Sequence, residues 1–253
     1  MCRSKFHFVT VLDLGFLVVA GFFAGLVGFV TGLASIVSYP ALLAVGLSPV
    51  AANVTNTVAI VAVGVGALSN SSKEIADTGP KVWRWALYSA VGGIVGAGIL
   101  LAAPEGSFEA IVPFMVAFAA LALLLQPRIR NLAGERDMPR TYSVSLFVVA
   151  IYGGYFGAGA GVIFLAIALI LTSETIWRAT VLKSFLLGIA NLVAAIGFAV
   201  FGPVHWGAAA AMAIGALAGG WCGPPVVKRI PPSVLRVSIA MAGFGLALWL
   251  WVR

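Results

Sequence analysis

Apolar residues run along this chain in long unbroken stretches, separated by short polar or Pro-containing breaks. Ten stretches can be drawn, over 9–31, 33–46, 49–69, 82–103, 108–126, 142–156, 158–172, 175–201, 205–225 and 233–252. A membrane β-barrel would show strict apolar/polar alternation; the runs here are continuous, so they predict helices. Most approach the roughly 20 residues a helix needs to cross the hydrocarbon. Two, 33–46 and 158–172, are short for a full crossing, and both follow glycine clusters. Polar breaks fall at SNSSKEIADTGPK (69–81) and PEGSFE (104–109), and the longest, QPRIRNLAGERDMPR (126–140), divides the chain almost into halves.

Each half has the same order of features. In the first, GFFAGLVGFVTG (21–32) leads into LASIVSYPALLAVGLSP and then AANVTNT (51–57). In the second, YGGYFGAGAG (152–161) leads into VIFLAIALILTSET and then WRATVLKS (177–184). Five segments per half is an odd number, so the two halves must run in opposite directions across the bilayer. The expected fold is an all-α integral membrane protein of about eight to ten helical segments in two inverted repeats, with short Gly-interrupted segments near the midplane. It forms one transmembrane domain over 1–253: a first repeat, 1–126, and a second, 141–253, joined by a basic cytoplasmic loop, 127–140. Paired interrupted segments in inverted halves point to a transporter's binding site. The competing reading is close helix packing, which fits Gly92, Gly96, Gly215, Gly219 and Gly223.

Composition agrees. The chain is 62% hydrophobic and only 9% charged, where a soluble domain carries about one-quarter charged residues. Lipid must solvate most of its surface. The net charge of +7 resides in loops, as topology requires: Lys73, Lys81 and Arg84; Arg128, Arg130, Arg136 and Arg140; Lys228, Arg229 and Arg236. The positive-inside rule places these three regions in the cytoplasm and leaves the side of the N-terminus open. Nucleic-acid binding is not needed to explain the charge. No cleaved leader is expected after Arg3 and Lys5, for want of a clear small-residue cleavage site. Cys2 and Cys222 lack metal-ligand spacing, and neither a metal nor a cofactor is expected.

Polar groups inside the spans carry the candidate chemistry. On a rise of about 1.5 Å per residue, Thr55 and Asn56 lie roughly 10 Å into their helix, and Lys183 lies roughly 13 Å into its own, near the midplane. Intramembrane ionisable residues are functional candidates by default, because a centred cation costs about 2.5–3.5 kcal/mol on insertion scales. No acidic residue shares that depth, so the natural partner of Lys183 is an anion from outside the chain, with helix N-termini as further donors. Arg178, one turn nearer the helix start, reads as an anion attractor or a topological anchor. Thr180 repeats the position of Thr55; Ser35 and Ser38 flank the first break with hydroxyls. Gly32, Gly157 and Gly159 mark the breaks themselves. Asn191, two turns beyond Lys183, is expected to bond between helices. His205 and Trp206 read as interface residues.

These residues resemble the TauE/SafE family of sulfite and organosulfonate exporters. The first motif, G-F-x-A-G…G…Y-P-A-L-L-A-x-G-L-S-P…A-x-x-T-N, is carried by Gly21, Gly25, Gly32, Pro40, Gly46, Pro49, Thr55 and Asn56. The second, Y-G-G-x-F-G-A-G-A-G with W-R-A-T-x-x-K, is carried by Gly153, Gly157, Gly159, Gly161, Thr180 and Lys183. The chain departs from the family's run of glycines where it reads Gly32, Leu33, Ala34, Ser35. The resemblance implies a multi-pass inner-membrane permease for small sulfur-containing anions such as sulfite, thiosulfate or sulfonates. It is expected to work by alternating access as a secondary transporter, not an enzyme, because no nucleophile–base pair or ligand set lies within the spans. Alternatives are a passive anion channel or a non-catalytic membrane subunit of a larger complex. The expected partners are a small anionic substrate, the lipid bilayer, a coupling ion and a second copy in a homodimer.

Overall fold

The computed structural model describes residues 10–31, 34–68, 79–104, 106–130, 138–227 and 232–252. Ten helices occupy them: α1 (Val11–Thr31), α2 (Ala34–Ala44), α3 (Pro49–Leu68), α4 (Lys81–Ala102), α5 (Ser107–Arg130), α6 (Pro139–Tyr155), α7 (Ala160–Leu171), α8 (Ile176–Phe201), α9 (Trp206–Val227) and α10 (Pro232–Val252). Each matches one of the ten apolar stretches, and no strand occurs among the described residues. Four are long and apolar enough to cross a membrane, over Val11–Gly28, Lys81–Ala102, Ser107–Arg128 and Arg178–Phe201. Helix α5 continues through Pro127 to Arg130 and α6 begins at Pro139, so both ends of the 127–140 connection are helical.

Local chemistry sets the helix ends. Thr10 and Asp13 open α1 with a reciprocal cap: the Thr10 N–H donates to Asp13 Oδ2 at 2.8 Å, and the Asp13 N–H donates to Thr10 Oγ1 at 3.3 Å. Helix α2 closes at Gly46, whose φ of 89° only glycine adopts without strain. There the Gly46 N–H reaches the Leu43 carbonyl at 3.0 Å and the Leu47 N–H reaches Leu42 at 3.2 Å, the paired bonds of a glycine-terminated helix. Ser48 and Pro49 then start α3, with the Ala51 N–H donating to Ser48 Oγ at 3.4 Å. The 11 residues of α2 and the 12 of α7 span only about 17–18 Å at the helical rise, short of a ~30 Å hydrocarbon core.

Two helix pairs approach at backbone distance through glycines on both partners. A Cβ on Gly215 or Gly219 of α9 would stand 1.9 Å from the carbonyl oxygens of Val18 and Phe22 in α1. Reciprocally, one on Gly21 or Gly25 of α1 would stand 2.3 and 2.1 Å from the carbonyls of Met212 and Ala216 in α9. The same device joins α4 to α6: Gly92 and Gly96 face the carbonyls of Phe147 and Ile151 at 2.7 and 2.1 Å, and Gly154 faces that of Gly93 at 2.3 Å. In lipid, helices associate by such close packing because no hydrophobic effect separates them from the tails. The packing reading therefore holds for Gly92, Gly96, Gly215 and Gly219. Gly21 and Gly25 join them, which corrects the expectation that the whole 21–32 cluster marks a ligand-binding break. Gly223 carries no described surroundings.

The halves interlock. Helix α9, from the second half, packs on α1 and α3; α4, from the first, packs on α6 and α8. The short helices sit against α1 and α3 on one side and α6 and α8 on the other, while α3 meets α8 and α5 meets α10. Renaming α1–α5 as α6–α10, and the reverse, returns nearly the same pairings. The larger buried core draws on α1, α2, α3 and α9 together with residues of α4, α5, α8 and α10, and a second on α4, α6, α7 and the first half of α8. The outward faces carry Phe16, Phe23, Trp83, Ile94, Phe118, Val148, Ile196, Ile214 and Trp221, all exposed as lipid-facing positions should be.

Gly219→Ala forces α9 away from the α1 backbone and should destabilise the protein by about 1–3 kcal/mol, the usual cost of overpacking. Gly98→Ala, with nothing within 4 Å of its Cβ, should melt like the wild type. Thermal unfolding of the two purified variants, followed by intrinsic fluorescence, checks the contrast.

Candidate functional site

The N-terminal half of α3 is enclosed on every side. All seven residues from Ala51 to Thr57 are buried, and four of them, Asn53, Thr55, Asn56 and Thr57, are polar. An unpaired polar group in such surroundings costs several kcal/mol, so each must find a partner within the protein or bring one in. Asn56 finds two on α2: its Nδ2 donates to Ser35 Oγ at 3.1 Å, and Ser38 Oγ donates to its Oδ1. Thr55 Oγ1 accepts the backbone N–H of His205 at 3.0 Å, tying α3 to the residue before α9. Thr57 Oγ1 bonds back to the Asn53 carbonyl at 3.0 Å. Of the residues expected to face a ligand, Ser35 and Asn56 are thus brought together, with Ser38, as a clamp between α2 and α3. Thr55 is turned elsewhere.

The second break lies between Tyr155 and Ala160. Its turn requires glycine: Gly157 and Gly159 have φ of 76° and 77°, and Gly159 caps α7. The N–H groups of Phe156 and Gly157 both donate to the Tyr152 carbonyl, closing α6, while Tyr152 Oη donates to the Ala158 carbonyl across the turn. Asn53 reaches over from α3, its Nδ2 donating to the Tyr155 carbonyl at 2.8 Å. Phe156 lies edge-on to Tyr39 of α2, ring centroids 5.4 Å apart, and to Phe108 at the start of α5 at 5.8 Å. A Cβ on Gly157 would stand 3.8 Å from Asn191 Oδ1 of α8. The break is therefore a meeting point of α2, α3, α5 and α8. Gly32, marking the first break, lies outside the described residues.

Helix α8 carries Lys183, which is 4% exposed and is the one charged side chain buried among the described residues. Among the described residues no carboxylate lies within ion-pair distance of it. Arg178 is different in kind. It sits in the first turn, where the Thr175 hydroxyl accepts its backbone N–H at 3.4 Å, and its guanidinium pairs with Glu174 at 3.3 Å near the helix end. An anchor at the span boundary describes it better than a deep anion contact. Thr180 is half-buried, and its carbonyl accepts the Ser184 hydroxyl at 3.0 Å. Ser89 of α4 braces the helix from the other side by donating to the Leu186 carbonyl at 2.7 Å. No group of three or more His, Cys, Asp or Glu side chains that could hold a metal occurs among the described residues.

Two residues matter more than the sequence suggested. Asn53, unremarked there, precedes Asn56 by one turn in the same buried run and reaches the second break. Asn191 was expected to bond between helices; instead its Oδ1 is buried without a partner. The signal available in sequence was position alone, four polar residues among the five from Asn53 to Thr57 and one amide far inside an apolar helix.

The family model for the sulfite exporter TauE/SafE matches residues 17–250. The chain belongs to the TauE/SafE family. It is 29% identical over 237 residues to a probable membrane transporter protein, ORF9, of Sinorhizobium sp, covering 90% of both chains. It is 27% identical over 261 residues to the probable membrane transporter protein YfcA of Escherichia coli, covering 94% of this chain and 91% of that one. A Haemophilus influenzae probable membrane transporter protein is 24% identical over 240 residues, with 91% of each covered. No solved structure matches. Membership of this family makes the chain a multi-pass membrane transporter, and its polar interior is to be read as a transporter's.

Thr55→Val keeps the volume of the side chain but removes the acceptor of the His205 N–H, and should cost about 1–3 kcal/mol of stability. Thr55→Ser, which keeps the oxygen, should recover most of it. Melting curves of the two variants decide whether Thr55 holds α9 in place or serves only a ligand.

Proposed function

We propose that this TauE/SafE transporter moves small sulfur-containing anions, such as sulfite, thiosulfate or sulfonates, across the inner membrane by alternating access. The observation that carries the reading is Lys183, a 4%-exposed lysine within the apolar span Arg178–Phe201, with no counter-ion among the described residues. A buried ammonium without a carboxylate is unstable relative to one that has an anion beside it. A pyramidal or tetrahedral oxyanion is matched by an ammonium with three donors. The sulfite exporter description of the family model supports the choice of a sulfur oxyanion over other anions.

Alternating access needs two arrangements of nearly equal energy, which a pair of inverted repeats supplies by exchanging roles. The exchange of pairings between α1–α5 and α6–α10 supports two repeats, over 1–126 and 141–253, and the odd number of helices in each supports their inversion. With the basic loops in the cytoplasm, Lys183 lies on a helix entering from that side, behind Arg178 and Thr180. Helices α2 and α7, each about half a membrane long, then meet the centre from opposite faces. The glycine turn at 157–159 lets α6 give way to α7 beside α3 and α8. Ser35 stands at the matching place in the first repeat. Ser35, Asn56 and Thr55 act there as scaffold that fixes α2 and α9 on α3.

Reconstituted into proteoliposomes, the protein should give saturable flux of sulfite or thiosulfate. Lys183→Ala should reduce that flux by about 10–100-fold, the worth of a charge-assisted contact of 1.5–3 kcal/mol, while leaving thermal stability equal or higher because an uncompensated buried charge is gone. Arg178→Gln should change flux far less. Wild-type flux in Lys183→Ala removes the residue from the site.

A further inference from the structure

Two buried amide oxygens at the second break have no hydrogen-bond donor. Asn53 is fully buried, and its orientation is fixed because Nδ2 donates to the Tyr155 carbonyl; its Oδ1 is left bare. Asn191 is 9% exposed, and its Oδ1 is bare as well. The break adds a third oxygen. The Gly157 N–H, which would ordinarily return to Gly153, bonds to Tyr152 instead, so the Gly153 carbonyl has lost its helical donor. That carbonyl and Asn191 Oδ1 converge: both lie near the single point that a Gly157 Cβ would occupy, at 3.0 and 3.8 Å.

Acceptors without donors collected at one turn, two of them beside Gly157 and a third on the amide that reaches Tyr155, have the chemistry of a cation site. The oxygens are neutral, and among the described residues no carboxylate is buried with them. A divalent ion, which demands charged ligands before it gives up its water, is therefore a poor occupant. The C-terminal end of α6 adds the negative end of its dipole. Unwound carbonyls at a broken helix serve transporters in this way. We propose that the α6–α7 break holds a small monovalent alkali cation, coordinated by Asn53 Oδ1, Asn191 Oδ1 and the Gly153 carbonyl. Asn191 lies eight residues beyond Lys183 on α8, about 12 Å along the helix, so an anion at Lys183 and a cation at the break neutralise one another across the interior. The coupling role rests on the anion reading given above; the binding itself does not.

The test is a melting measurement on the purified full-length protein without any sulfur anion, in sodium, potassium or choline chloride at equal ionic strength. Sodium or potassium should raise the melting temperature by a few degrees over choline, saturably. In Asn191→Leu that rise should vanish, while the variant in choline melts no lower than the wild type, since an unsatisfied oxygen has been replaced by carbon. If Asn191→Leu does not fold, Asn191→Ala takes its place in the same comparison. Equal melting in all three salts, or a cation shift that survives in the Asn191 variant, overturns the site. Cation stabilisation in a protein that moves no sulfur oxyanion would leave this site standing and remove the proposed substrate instead.

Discussion

Backbone polar groups inside a bilayer have no water to turn to, and this constraint governs the whole architecture. A helix meets it internally; a break in a helix does not. The chain nevertheless breaks between α6 and α7, between Tyr155 and Ala160. Two of the freed carbonyls there are met from the protein itself: Tyr152 Oη donates to that of Ala158, and Asn53, from the other half of the chain, donates to that of Tyr155. The break is possible only because α3 and α8 cover it. Their burial in turn requires the outer helices to close tightly, which the glycine-to-carbonyl contacts of α1 with α9 and α4 with α6 achieve. A helix interior so closed can keep the ammonium of Lys183 away from lipid.

Each half of the chain lends its fourth helix to the other. This exchange explains why α4 carries glycines on two faces, Gly92 and Gly96 toward α6 and Gly93 toward the Ala190 carbonyl of α8 at 2.5 Å. It also makes the two halves one mechanical object. The halves meet through α3 with α8 and through α5 with α10 as well, so they do not form two separate domains. Within that frame the two short helices differ. Helix α2 is clamped to α3 through Ser35, Ser38 and Asn56, whereas α7, AGVIFLAIALIL, has no polar side chain with which to make such a clamp.

Much of the fold was legible in the sequence because lipid imposes a simple code. Continuous apolar runs located all ten helices of the described residues, and glycine clusters located the second break, where the turn does require positive φ at Gly157 and Gly159. The code does not distinguish glycines that let a backbone turn from glycines that let a backbone approach. Gly21 and Gly25 stand in the cluster that precedes the first short helix, yet belong to the second kind. Lys183 was visible because charge in an apolar run has no ordinary explanation. Thr55 was not readable in the same way: its hydroxyl answers to the His205 N–H, 150 residues away, a pairing set by tertiary packing. Arg178 read in sequence as an anion attractor or a topological anchor, and its ion pair with Glu174, four residues back, is what an anchor at the helix start would make. Asn53 and Asn191 gained meaning only when α3, α6 and α8 came together at one turn.

The central claim is that the counter-ion of Lys183 is the cargo. A cryo-electron microscopy map of the protein in lipid nanodiscs with saturating sulfite addresses it most directly. The account predicts density for a compact anion within about 3.2 Å of Lys183 Nζ, hydrogen-bond distance for a charged donor, and no such density in a map recorded in its absence. A nitrogen that instead pairs with a carboxylate of the same chain, or extends to the lipid headgroups in both maps, would contradict it.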